Sequence, residues 1–372
     1  MPRFAKMLAD GMAERGHSVQ QWKPMPIFYR IPAHSFIKKW LGYIDQFLVF
    51  PFQVRLRLKK SLHNTLFVFT DHALGPWVPL VARYPHVIHC HDFLAQQSAL
   101  DKIPENKISR SGKLYQSYIF KGYSKARNFI SVSQKTQQDL HDLLQTKPRT
   151  SEIIYNGMSR LFSKTPPTEA RREMSSKFGI DLSGGYLLHV GGNQWYKNRK
   201  SLIILYNAWR KTTNDCLPLL LIGEMPDMPL LQLINESPFV SEIHVLTGVE
   251  DNWIQKAYSG GTVFLFPSIA EGFGWPIAEA MICGCPVITT NEQPMIEVGG
   301  DAAFYIPRYP KNKSGIYDWA LAGANLIEKI VQFSEYERNR VVEKGIQNCE
   351  RFDRASALNR MEEVYKRVLN VQ

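Results

Sequence analysis

Residues 263–290, VFLFPSIAEGFGWPIAEAMICGCPVITT, constrain the fold more tightly than any other stretch of this chain. Val263–Phe266 is a short, β-prone apolar run of the kind needed by a strand covered on both faces. Pro267 ends it. Gly272 and Gly274 give the next loop conformational freedom and room for close ligand approach. Pro276 suits the first turn of a helix, and Ile277, Ala280 and Met281 supply its apolar stripe. Gly284 and Pro286 stop that helix, and Val287–Thr290 reads as a further strand. Glu271 therefore falls in a loop at a strand's carboxyl end, and Glu279 falls inside the helix that follows. Open parallel sheets bind ligands at such ends, with a helix N-terminus ready to receive an anion. The plainer alternative is an ordinary strand–loop–helix whose glutamates are merely solvated.

The segment resembles the donor-site signature of retaining glycosyltransferases of family 4, which have the GT-B fold. That pattern is Glu, seven residues, Glu, with Gly-Phe-Gly after the first Glu. It stands here as Glu271, Gly272-Phe273-Gly274 and Glu279. A second segment, His189-Val-Gly-Gly-Asn-Gln-Trp-Tyr-Lys197-Asn198, follows an apolar run and leads into a helix. Gly191 and Gly192 let the backbone approach a phosphate, and Lys197 offers a point charge. It resembles the family's strand–glycine–Lys-Asn segment, which holds the donor diphosphate. Many members place Arg directly after the first glycine; Gly192 stands there instead, leaving Arg199 or Lys200 as replacement cations.

By this resemblance, Glu279 would grip the ribose hydroxyls and Glu271 the donor sugar, aided by backbone N–H groups around Phe273 and Gly274. Lys197 and the helix N-terminus would stabilise the departing diphosphate, and the acceptor would attack from the same face with retention. His89-Cys90-His91-Asp92 ends a strand in the first half. Read on their own, these residues are a structural histidine pair or two members of a metal set. The resemblance places His91 on the acceptor side, orienting the reacting sugar or acceptor, with Asp71-His72 flanking it. No Asp-x-Asp occurs in the chain, so neither metal nor cofactor is expected.

At 372 residues the chain can hold two domains, each with its own core. Alternating strands and helices over 186–290 predict a parallel sheet wrapped by helices. The expected architecture is α/β and GT-B, with two Rossmann-like domains facing a central cleft. Residues 1–165 would form the acceptor-side domain and 166–350 the nucleotide-sugar domain. Residues 351–372 would form a C-terminal helix packing back on the first domain. Before its first helix, around Phe4–Met12, the chain shows neither the family's leading strand nor its glycine loop. The first domain is thus expected to lack that strand and to be the less stable half. Ser18–Trp22 reads as a short strand.

A net charge of +11 suits nucleic acid, an anionic membrane or a phosphorylated substrate. No nucleic-acid motif accompanies it, which leaves the membrane surface and a sugar nucleotide. Residues 31–60 interleave aromatics (Phe36, Trp40, Tyr43, Phe47, Phe50, Phe52) with Lys38, Lys39, Arg55, Arg57, Lys59 and Lys60. They read as a helix packed on the domain with solvated cations, or as an interfacial surface for anionic lipid. The five cysteines fit reduced core residues of a cytoplasmic protein, peripheral at most on the inner membrane face. The expected activity is hexosyl transfer from a nucleotide-diphosphate sugar to a saccharide or lipid-linked acceptor in cell-surface polysaccharide or glycolipid assembly. The rivals are a non-catalytic or truncated homologue that binds nucleotide sugar and a related sugar-nucleotide epimerase.

Overall fold

The computed structural model describes residues 2–59, 64–158, 161–213 and 215–370. The chain forms two compact units, 1–132 with 136–156 and 355–372, and 133–135 with 157–354. The sequence places the first boundary at 165, whereas the units divide at 156. Residues 163–165 belong to the second unit because Gln255 Nε2 donates to the Ser163 carbonyl and the Thr165 N–H to Ser259 Oγ.

The first unit is built on four parallel strands: β1 (Phe67–Phe69), β2 (His86–Cys90), β3 (Asn128–Ser131) and β4 (Thr150–Ile153). They lie in the order β1-β2-β3-β4. Alternation along each strand assigns neighbours to opposite faces. Val87 and Ile130 join one apolar cluster with Phe4, Leu8 and Met12 of the Pro2–Glu14 helix. Ala357, Leu358, Met361, Val364 and Val368 of the Arg354–Asn370 helix complete it. Ile88 and Phe129 point the other way, into a cluster with Val78, Phe93, Ile119 and Leu140.

Ser18–Trp22 is not a strand. It takes no place in a described sheet, and Val19 is exposed. Trp22 instead packs edge-on to Phe67 at 5.5 Å, with the Arg57 guanidinium over its ring. Among the described residues the first strand of this sheet is β1, which forms an edge. Lys60 lies outside the described residues.

The second unit holds six parallel strands: β5 (Leu187–Gly191), β6 (Leu219–Gly223), β7 (Ile243–Thr247), β8 (Val263–Phe266), β9 (Val287–Thr290) and β10 (Phe304–Ile306). Their order is β10-β9-β8-β5-β6-β7. The chain runs outward from β5 through β6 to β7, then returns to β8 on the other side of β5. The gap between β5 and β8 is thus the topological switch point, where an open α/β sheet leaves a crevice at its carboxyl end. β8 is buried along its whole length, as its uninterrupted apolar run requires. Trp209, fully buried on the Arg199–Arg210 helix, anchors the core beneath and donates through Nε1 to Glu328 at 2.7 Å.

Candidate active site

The loops after β5 and β8 meet across this switch point. After β5, Trp195–Lys197 forms one 3₁₀ turn, closed by Asn198 in a left-handed conformation with φ +52°. Asn198 Nδ2 then donates to the Pro267 carbonyl at 3.1 Å, and the Ile269 N–H donates to the Tyr196 carbonyl at 2.8 Å. These two bonds clamp the loops together. Lys197 Nζ reaches Glu271 Oε1 at 2.7 Å, both side chains being nearly enclosed at 13% and 9% exposure. The Lys197 ammonium also lies over the Phe266 ring at 4.8 Å from its centroid. An apolar floor and an opposite charge thus fix the ammonium at the crevice.

Gly274 starts the Trp275–Ile282 helix at φ +101°, a conformation open to glycine and costly for residues with a Cβ. Phe273 is buried, 4.8 Å from the Trp275 ring and 5.3 Å from Phe352, which pins the loop from below. Gly272 precedes it, partly exposed. Glu279 sits one turn further along the helix, where the buried Tyr258 hydroxyl donates to its Oε2 at 3.3 Å. Burial raises the Tyr258 phenol far above its ordinary value, and the neighbouring Glu279 charge adds to this, so it acts as a fixed donor.

At Gly192 a side chain would start 2.7 Å from Gln194 and 2.9 Å from the Glu224 carboxyl. Glu224 instead accepts from the Asn193 N–H at 2.9 Å. Gly223 ends β6 at φ +144°, and a Cβ there would lie 2.0 Å from the Gly191 carbonyl, so β5 and β6 close tightly. His189 is fully buried; its Nδ1–H donates to the Leu265 carbonyl at 2.9 Å, and burial pushes its pKa down to about 3. It is a neutral spacer beneath Gly191.

Sequence reasoning left the role of Arg199 open. Its guanidinium is buried and donates to the Glu224 carbonyl at 2.8 Å and to Asn193 Oδ1 at 2.5 Å. Burial lowers its pKa, with Glu224 and Asp227 opposing. Among the described residues, Nε and Nη2 have no hydrogen-bond partner. The residue therefore braces the loops after β5 and β6, a task visible only once Glu224 is placed.

His91 belongs to the first unit, just past β2. It is mostly buried; Nε2–H donates to the Thr70 carbonyl at 2.9 Å, and Asn156 Nδ2 faces Nδ1 at 3.4 Å. Burial lowers its pKa, and the charges of Asp71 and Asp92 partly offset this. Asp71 accepts from the Ala73 N–H at 2.9 Å, capping the turn after β1. His89 turns into the core, 2.5 Å from the Tyr365 hydroxyl. Among the described residues no three His, Cys, Asp or Glu side chains gather as a metal-holding group.

Two family models cover most of the chain: "Glycosyltransferase Family 4" matches residues 1–160 and "Glycosyl transferases group 1" matches 184–314. The chain is a family 4 glycosyltransferase. The O-antigen chain mannosyltransferase B of Escherichia coli is 37% identical over 120 residues, 32% of each chain, so that match spans about a third of the relative. The O-antigen chain mannosyltransferase RfbU of Salmonella typhimurium is 23% identical, across 77% of this chain and 73% of its own. Among solved structures, sucrose-phosphate synthase from Thermosynechococcus elongatus superposes with a TM-score of 0.72 at 16% identity, covering 99% of this chain and 93% of its own. Anabaena HepE in complex with UDP-glucose gives 0.67 at 16%, covering 86% and 82%. These likenesses assign the GT-B fold. In this glycosyltransferase the Lys197–Glu271 pair and Glu279 lie on the carboxyl side of the second sheet, all within one unit.

Proposed function

We propose that the protein is a retaining, metal-independent hexosyltransferase. Its donor would be a nucleotide-diphosphate sugar, and its acceptor a saccharide or lipid-linked saccharide of a growing cell-surface polysaccharide or glycolipid. The observation that carries this reading is the Lys197–Glu271 pair, 2.7 Å apart at the switch point and beside a helix N-terminus. A diphosphate that leaves there gains negative charge, and a nearly enclosed ammonium with oriented N–H groups stabilises such charge strongly. Glu271, oriented by Lys197, contacts donor hydroxyls. Glu279, steadied by Tyr258, accepts hydrogen bonds from a vicinal diol such as a ribose. Lys197 takes the place that a metal ion fills in other transferases. The leaving phosphate accepts the proton of the attacking hydroxyl on the face from which it departs.

The named activities of the O-antigen relatives and the UDP-glucose complex of HepE support this choice of substrate class. A lipid-linked acceptor would bring the enzyme to the cytoplasmic face of the membrane. No described helix is long and apolar enough to cross it.

Calorimetric titration with a panel of nucleotide-diphosphate sugars, in EDTA, tests the donor site. Wild type should bind one of them with chelator present. Glu279→Ala should bind it less tightly by about 1.5–3 kcal/mol for each charge-assisted hydrogen bond lost. Equal affinity for the two proteins, or binding that needs magnesium or manganese, would remove the assignment.

A further inference from the structure

The Asp45–Arg57 stretch of the first unit is apolar on two sides. Phe50 and Val54, one turn apart, face inward and pack with Val81. Leu48, Phe52 and Leu56 repeat the same spacing on the other side and stand in solvent, Leu48 at 68% and Phe52 at 60% exposure. A helix with two apolar faces requires two apolar partners, and the unit supplies one. The preceding Ser35–Ile44 helix buries no residue at all: Phe36 is 68% exposed and Trp40 56%. The patch extends onto the Arg110–Tyr123 helix, where Phe47 meets Tyr115 and Tyr118 at ring distances of 6.3 and 5.7 Å beside the exposed Leu114.

This surface is held in shape. Asp45, itself buried, accepts the N–H groups of Ile27, Phe28 and Tyr29 at 3.1, 2.9 and 2.9 Å. Burial alone would raise the Asp45 carboxyl, but the three donors together hold it below its ordinary value. The clamp fixes the exposed Phe28, Tyr29 and Ile31 beside the helices. Charge then selects the partner. Lys38, Lys39, Arg55 and Lys59 lie along the same segment, and the sole carboxylate from 23 to 59 is the buried Asp45. Lys38 lies over the Tyr29 ring at 5.2 Å and Lys39 over Tyr43 at 5.9 Å, so cations and rings share one surface. Apolar side chains interleaved with aromatics and cations complement an acyl layer beneath anionic headgroups.

We propose that this face of the first unit, residues 25–59 with Leu114, Tyr115 and Tyr118, is a docking surface for an anionic lipid bilayer. It rests on the reading of a lipid-linked acceptor, and it names the surface that would bring the enzyme to such an acceptor.

Flotation of the purified full chain with vesicles reads the surface without turnover, while transfer to a soluble acceptor reads the reaction without a bilayer, so the two failures are distinguishable. The chain should float with phosphatidylcholine–phosphatidylglycerol vesicles, stay behind with phosphatidylcholine alone, and be released by salt. Lys38→Gln with Lys39→Gln should lower partitioning by roughly 30-fold, at about fivefold for each cation lost. Trp40→Ser with Phe52→Ser should abolish flotation with the melting temperature unchanged. A wild-type chain that ignores anionic vesicles, or variants that float as well as it does, would overturn the proposal. So would a stable dimer that Trp40→Ser with Phe52→Ser dissolves, since a second copy would then be the occupant.

Discussion

Lys197→Met should lower turnover by about 10²–10³-fold, the loss seen when one preorganised donor to a developing oxyanion is removed. The same change leaves the Glu271 carboxylate enclosed without its cation, which destabilises by about 3–5 kcal/mol. The two effects are separable. Adding Glu271→Met should restore much of the melting temperature, because both charges then leave together, and should restore none of the turnover. Steady-state rates and thermal melts of the two single variants and the double variant check this. A double variant that recovers rate as well as stability would make the pair a structural one.

Deleting the Arg354–Asn370 helix should abolish cooperative folding of the first unit. Leu358, Met361, Val364, Tyr365 and Val368 are all buried in its core, and at about 1.5–3 kcal/mol each their loss approaches the whole stability of a domain. Leu358 lies where a Cβ on Gly11 would be 2.5 Å away, so the two terminal helices interlock with no slack. The buried His89, whose pKa burial pushes down to about 3, would also lose its Tyr365 partner. Circular dichroism melts should show one transition missing, while the milder Leu358→Ala should lower it by about 2–5 kcal/mol. An unchanged melt after deletion would refute this packing.

The sequence made the interior of the second sheet plain and hid its margins. β5, β6 and β8 are apolar runs ended by glycine or proline, and β9 follows Pro286 directly, as strands covered on both faces do. The strands that escaped sequence reading, β7 and β10, are the two edges: IHVLT is mostly half-exposed and FYI is three residues long. Ser18–Trp22 deceived for another reason: it has a strand's composition, but Trp22 is held by its ring on Phe67 and not by a backbone ladder. In the site, Lys197 and Glu271 were each recognisable by motif. Their contact joins residues 74 apart in sequence, and it depends on the strand order that sets β8 beside β5. Residues 31–60 announced an aromatic, basic surface. Which faces remained exposed depended on Val81 covering one side and on the Asp45 clamp, neither of which periodicity reveals.

The central claim is glycosyl transfer with retention at the Lys197–Glu271–Glu279 site. The most direct test is a proton NMR time course of wild-type enzyme with a nucleotide-diphosphate sugar and a saccharide acceptor, in EDTA. Free nucleoside diphosphate and a new glycoside should appear together, the glycoside carrying the donor's anomeric configuration. An inverted product, a sugar nucleotide epimerised without transfer, or a donor panel left wholly unchanged would contradict it.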